Sequence, residues 1–238
     1  MARPQRIFLP GHPHHVAVRG HNQGPVFRDD EDRRCYLTHL RTVAREYRVA
    51  LHAYVLLDDR IHLLLTPSTQ EGISRMMQAL GRRYVADFNR RHGRTGTLWE
   101  GRFASHLVDA EAVLDCQGFI ETAPERMAGQ AVRADQYAWS SAPHHLGVRT
   151  DALITDHAAV WALGNTPFER EAAYRERLAQ GVTVPQQRAV EQALRQGLLY
   201  GSPQARQRLE RELHRPLAPR PRGRPRKTDL SGLDSGTN

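Results

Sequence analysis

The stretch Leu51-His-Ala-Tyr-Val-Leu-Leu-Asp-Asp-Arg-Ile-His-Leu-Leu-Leu-Thr-Pro67 constrains this chain more than any other. It holds two apolar runs, 51–57 and 61–65, folded about an Asp58-Asp59 corner. Short apolar runs paired around a polar corner are a β-hairpin signal. Where the second run leaves the corner, Arg60 and His62 are one residue apart. The two-residue period of a strand therefore turns both side chains to one face. Polar groups facing together at a strand start suit phosphate or metal chemistry. The plainer alternative is an exposed Arg and a satisfied His at a hairpin rim.

The flanking segments read as an alternation of strands and helices. Pro13 to Arg19 is a first strand, ending in Arg19-Gly-His-Asn22, a turn suited to a phosphate or simply a strand exit. Asp29-Asp-Glu-Asp32 places acids in the first turn of a helix running to about Tyr47, with Leu37, Leu40, Val43, Ala44 and Tyr47 as its apolar face. A second helix, from Gly72 to Asn89, buries Ile73, Met76, Met77, Leu80, Tyr84 and Phe88. Its arginines, Arg75, Arg82, Arg83, Arg90 and Arg91, fall mostly on the other side, as on an ordinary solvated face. The basic character continues through Arg94 into Thr97-Leu-Trp-Glu-Gly-Arg-Phe103. Arg interleaved with Trp99 and Phe103 suits single-stranded nucleic acid, whose phosphates meet Arg and whose bases stack on rings; lone aromatics also serve as core. A fourth strand over 103–108 and a helix from Ala110 to about Glu121, stopped near Pro124, complete a first domain ending near Gly147.

Residues 148–214 read as a polar helical region punctuated by Pro167, Pro185 and Pro203. From Arg215 the chain becomes a Pro/Arg-rich tail. The net charge of +8 favours polyanions, and all but one of the 34 basic residues are Arg, which makes planar bidentate phosphate contacts. Pro221-Arg-Gly-Arg-Pro225 is the core of an AT-hook, a segment whose Arg222 and Arg224 enter the minor groove of A·T-rich duplex. The alternative is a generic basic tether. Cys35 and Cys116 form no disulfide framework, no apolar run reaches membrane-spanning length, and the start lacks a signal-peptide core. A cytoplasmic, nucleoid-associated protein is expected.

Taken together, the segments Pro4-Gln-Arg-Ile7, His14-His-Val16, Arg19-Gly-His-Asn22, Leu51-His-Ala-Tyr-Val-Leu56, His62-Leu-Leu-Leu-Thr-Pro67, Ser74–Tyr84, Phe88-Asn-Arg-Arg91, Gly93–Arg102 and Trp139-Ser-Ser141 resemble the REP-associated tyrosine transposases. These are small relatives of the single-tyrosine HUH transposases of bacterial insertion sequences. The resemblance implies an α+β fold with a ferredoxin-like HUH-type domain over 1–147, before the helical region 148–214 and the tail 215–238. It implies binding of a single-stranded DNA hairpin and cutting beside it. Two histidines of a His-hydrophobic-His strand would hold a divalent metal, a helix-borne tyrosine would form a phosphotyrosine, and a polar residue one turn later would help hold the metal.

Carried over residue by residue, the second histidine of that motif matches His62, while the first falls on Arg60. The tyrosine falls on Phe119 of Phe119-Ile-Glu-Thr-Ala-Pro124, and the later polar residue falls on Ala123. An Arg cannot ligate a metal, Phe lacks the oxygen of a phosphoester, and Ala offers no donor atom. No catalytic residue is expected intact, and His62 is the single surviving metal ligand. The expected function is a catalytically impaired DNA-binding protein, monomeric or homodimeric, that contacts DNA through Arg19, Arg60, Arg82, Arg83, Arg90, Arg91, Arg94, Trp99 and Arg102, with Arg222 and Arg224 on duplex. No cofactor is expected. The alternative is an active nicking and strand-transfer transposase using Mg²⁺ or Mn²⁺, with a nucleophile relocated to Tyr54 or Tyr84 and ligands drawn from His52, Asp58 and Asp59.

Overall fold

The structure, a computed structural model, describes residues 6, 8–127, 132–214 and 217. Arg222 and Arg224, and with them the AT-hook reading, lie outside the described residues, as do Pro4 and Gln5.

The hairpin forms where its pattern puts it. Strand β2 (Val49–Leu56) and strand β3 (Arg60–Pro67) pair antiparallel across the Asp58-Asp59 corner. Strand β1 (His14–Arg19) lies on the other side of β3, and β4 (Ala104–Val108) lies beyond β1, both antiparallel. The sheet order is β2-β3-β1-β4-β5. The fifth strand, β5 (Leu199–Tyr200), pairs parallel with β4 through Leu107 and Val108. It comes from the polar helical region and is not signalled by the sequence, because two residues carry no readable period.

Helices cover both faces of the sheet, which is the expected α+β architecture. Helix α1 (Asp30–Glu46) starts where Asp29 accepts a bond from the Asp32 amide, with three acids in its first turn. Its buried face is Tyr36, Leu40, Val43 and Ala44, with Leu37 only partly buried, a rotation of one residue from the sequence reading. Helix α2 (Gly72–Arg91) buries all six of its predicted apolar residues. Both pack on the side of β3 that carries Ile61, Leu63 and Leu65. The opposite side of the sheet carries Leu64 and Val55 and is covered by helix α3 (Val113–Glu121), entered through a single 3-10 turn at Ala110–Ala112.

After α3 come the short helices α4 (Ala142–His145) and α5 (Ala158–Trp161), then α6 (Pro167–Gln180), α7 (Val184–Gln196) and α8 (Pro203–Leu213). The prolines open helices instead of breaking them, since a first-turn amide has no intrahelical partner to lose. Thr166 with Glu169, and Thr183 with Gln186, close capping boxes at α6 and α7. Val190 and Ala193 of α7 enter the same apolar cluster as Phe119 and Ile120 of α3 and Ala123 just after it. The helical region thus packs directly on the helix that carries Phe119.

Candidate functional site

Strand pleating aligns Arg60, His62 and Leu64 on the face that α3 covers. His62 is buried, and the ring of Phe119 stands edge-on to it at 6.0 Å. Ala123, one helical turn after Phe119, is also buried. The four positions implied by the resemblance therefore converge on one sheet face and the helix above it.

Two further histidines that sequence reasoning passed over complete this site. His15 on β1 and His106 on β4 lie on the same face, on the two strands following β3 in the sheet. His15 Nε2 is 2.9 Å from His62 Nδ1, and His15 Nδ1 is 2.9 Å from His106 Nε2. The far end of this row is anchored by His106 Nδ1, 3.0 Å from the Leu107 carbonyl. A carbonyl only accepts, so His106 must donate from Nδ1 and accept at Nε2. The same logic, passed along the row, makes His15 and His62 donors at Nδ1, leaving His62 Nε2 as an acceptor. All three are held neutral. His62 is pushed down to about 3, chiefly by burial and then by Arg60 and Arg126. His106 is pushed down to about 4 by burial, and His15 is lowered by burial and by its two neighbours.

Around this row the charge is cationic. Arg60 forks onto Asp59 through Nε and Nη2 at 2.9 and 2.8 Å and stays half-exposed. Its cross-strand partner is Arg19, which reaches the same Asp59 at 3.9 Å. Gly20 makes this corner: its amide donates to the Asp59 carbonyl, and a Cβ there would stand 2.1 Å from the Gly24 carbonyl oxygen. With the His21 amide spent on the Leu98 carbonyl, these two turn amides are already bonded within the protein. Arg126, in the 3-10 turn Ala123–Arg126 after α3, lies over the Phe119 ring at 4.6 Å. It donates to the Phe119 carbonyl and to Thr122 Oγ1.

These residues do not fit a divalent metal. The first ligand position is a permanent cation, Ala123 has no donor atom, and a second guanidinium, Arg126 over the Phe119 ring, adds positive charge that acts on the remaining imidazole. Useful affinity needs several convergent donors. Elsewhere among the described residues three groups have ligand-like spacing: His15, His106 and Cys116; Cys35, His39 and Asp87; and His144, His145 and Asp156. In the first, the two histidines already bond each other. The residues considered for a relocated reaction centre are also engaged. Tyr54 donates to Asp151 and Tyr84 to the Val26 carbonyl, and burial raises both phenols. His52 bonds Thr66 and the Thr155 carbonyl, and Asp58 pairs with Arg33.

The arginines of the described residues read as DNA contacts fall into three sets, with Arg94 apart. Arg19 and Arg60 stand at the reaction-centre face. Arg82 and Arg102 line a groove of about 500 Å³ on the α2 side, together with Arg75, Trp99 and Phe103. Trp99 is half-buried there, 6.0 Å from the Tyr84 ring, so its inner face is core. Arg83, Arg90 and Arg91 are ion-paired with Glu46, with Asp87, and with Asp29 and Asp32. Arg94 lies over Phe88, with Asn89 as its hydrogen-bond partner.

Residues 11–123 match the family model described as IS200-like transposase. A solved REP-associated tyrosine transposase, in a structure with a REP hairpin, shares the fold with a TM-score of 0.53 and 14% identity, over 67% of this chain and 96% of its own. A candidate transposase from Deinococcus radiodurans R1 matches at 22% identity over 50% of this chain and 96% of its own, with a TM-score of 0.36. No curated protein sequence matches. Among the described residues no helix is long and apolar enough to cross a membrane. Residues 11–123, which hold the hairpin, the overlying helix and the strands that join them, match the IS200-like transposase family model, and the chain has the fold of a REP-associated tyrosine transposase.

Proposed function

We propose that the protein binds single-stranded or hairpin DNA and is catalytically impaired. The observation that carries this reading is a reaction centre with its geometry kept and its chemistry removed. Phe119 stands edge-on to His62, as a nucleophile beside a metal ligand would, but has no oxygen to attack with. Arg60 occupies a ligand position and cannot lose its proton. The solved relative was captured with a REP hairpin, which supports a folded DNA strand as partner. Arg82, Arg102 and Trp99, sharing one groove, offer two cations and a ring edge to such a strand. Arg222 and Arg224 would add contacts to A·T-rich duplex and hold the protein on the nucleoid. In this reading 1–147 carries the DNA, 148–214 braces it, and 215–238 tethers it.

The test pairs binding with covalent capture on hairpin DNA in Mg²⁺ or Mn²⁺. The expected result is a gel shift with no protein–DNA adduct surviving denaturing electrophoresis. Arg82→Gln and Arg102→Gln each lower the slope of log affinity against log salt by about 1. An adduct from the native chain would overturn the impairment and favour an active nicking and strand-transfer enzyme. Absence of any shift would overturn the binding.

A further inference from the structure

Arg126 is a residue to which the resemblance assigns no role, and its setting is unusual for an arginine. It is partly buried, and that burial pushes its guanidinium down. Yet among the described residues no carboxylate lies within ion-pair distance of it. A buried cation without a counter-ion is costly, and folded chains ordinarily avoid it by pairing. Two of its five N–H groups bond Thr122 and the Phe119 carbonyl, which fixes the plane of the fork against the Phe119 ring without neutralising it. The adjacent Glu125 acts on Arg126 without an ion pair, and Glu191 of α7 is the carboxylate felt by both Arg126 and Arg60, while it accepts a bond from Gln187 at 3.2 Å. Arg60 itself spends Nε and Nη2 on Asp59, so its Nη1 is uncommitted.

We propose that Arg126 anchors a metal-free phosphate seat, closed by Arg60 on the strand beneath, in which two guanidiniums supply the positive charge that a divalent ion brings to this position in an active relative. The ligand is a phosphodiester of bound DNA, held and not cleaved; this rests on the DNA-binding reading above. The chemistry is apt: guanidinium forks match phosphate oxygens in pairs, and a positioned phosphate supplies the counter-ion Arg126 lacks. Glu191 opposes the seat from α7, so the helical region tunes phosphate affinity through one carboxylate.

The experiment measures affinity of the full chain for a fluorescent DNA hairpin between about 50 and 200 mM salt, in EDTA and in Mg²⁺. The native protein is expected to bind equally well in both. Arg126→Gln should lower the salt slope by about 1 and weaken binding about fivefold to tenfold, while Arg126→Lys keeps the slope. Glu191→Gln should tighten binding. Because Arg126→Gln removes an unpaired, partly buried charge, its thermal midpoint should not fall, a result that a merely structural arginine would not give. A native slope in Arg126→Gln, beside a lowered slope in Arg82→Gln, would overturn the seat and leave DNA binding intact. If the native chain binds no hairpin, inorganic phosphate decides. A thermal midpoint raised by phosphate in the native chain but not in Arg126→Gln keeps the seat for free phosphate, and no rise in either overturns it.

Discussion

Acidification from about pH 6.5 to about pH 4.5 is expected to unfold this protein, because three buried histidines must stay neutral for the fold to persist. His15, His62 and His106 have folded-state values below the ordinary 6.5, with burial as the largest cause of each. In that window the unfolded chain binds protons that the folded chain refuses, so stability is complete above about 6.5 and is lost as pH falls towards the folded values. Each histidine costs up to about 1.4 kcal/mol per pH unit. Over about two units His62 and His106 together remove roughly 5 kcal/mol and His15 adds in the same direction, a large share of the whole stability of an ordinary domain. Asp156, held well below the usual carboxylate range by His144 and His145, adds to the loss only in stronger acid. Urea midpoints measured from pH 7.5 down to about 4.5 check this. His15→Asn, neutral throughout and able to bond on both sides, should reduce the pH slope by about a quarter, because buried His52, lowered to about 4, shares the window. A midpoint flat over this range would mean that the row is hydrated or charged in the native state.

That row shows where sequence reading stops. Period-two alternation places Arg60 and His62 on one face, and three- and four-residue spacing finds the buried side of α2, because both are properties of consecutive residues. His15, His62 and His106 meet only through the order of β3, β1 and β4, across separations of 47 and 91 residues. No local period encodes that register. Arg126 escaped for a different reason: it sits in a single 3-10 turn after Pro124, where no repeating element sets the direction of a side chain. The row of arginines on α2 was legible as exposed, but the carboxylates facing Arg83 and Arg91 come from α1 and its cap. Helix pairing, not helix periodicity, decides which of those charges are left for a polyanion. Arg60, Phe119 and Ala123 were legible as candidate site positions because the resemblance aligns them independently of the fold.

Glu121→Ala is expected to destabilise the protein by about 3–5 kcal/mol, the range for breaking a buried ion pair from one side. Glu121 lies two residues after Phe119 on α3 and is wholly buried. Its carboxylate accepts from the Ser141 hydroxyl, from His145 Nδ1 at 2.7 Å and from the Tyr174 hydroxyl on α6. His145 is also 3.3 Å from Asp156 through Nε2, and the two carboxylates raise it to about 9 against the opposing effect of burial. Two hydroxyls and an imidazolium therefore lose their shared partner at once in the Ala variant. The pH signature separates the ionic part from the packing. A histidine raised from 6.5 to about 9 contributes stability that is complete below about 6.5 and is lost as pH rises through 9. Native protein should accordingly soften between about pH 7 and 9.5, whereas Glu121→Gln, which keeps the shape and can still accept a bond, should soften much less. Thermal midpoints of the three proteins across that range make the measurement. An equal alkaline slope in native and Gln forms would mean that His145 is neutral and that Glu121 serves as a hydrogen-bond hub alone. If the slopes differ as expected, the helix bearing Phe119 is held to α4 and α6 by buried charge. A brace of that kind fixes Phe119 against His62 and so holds the geometry of the site.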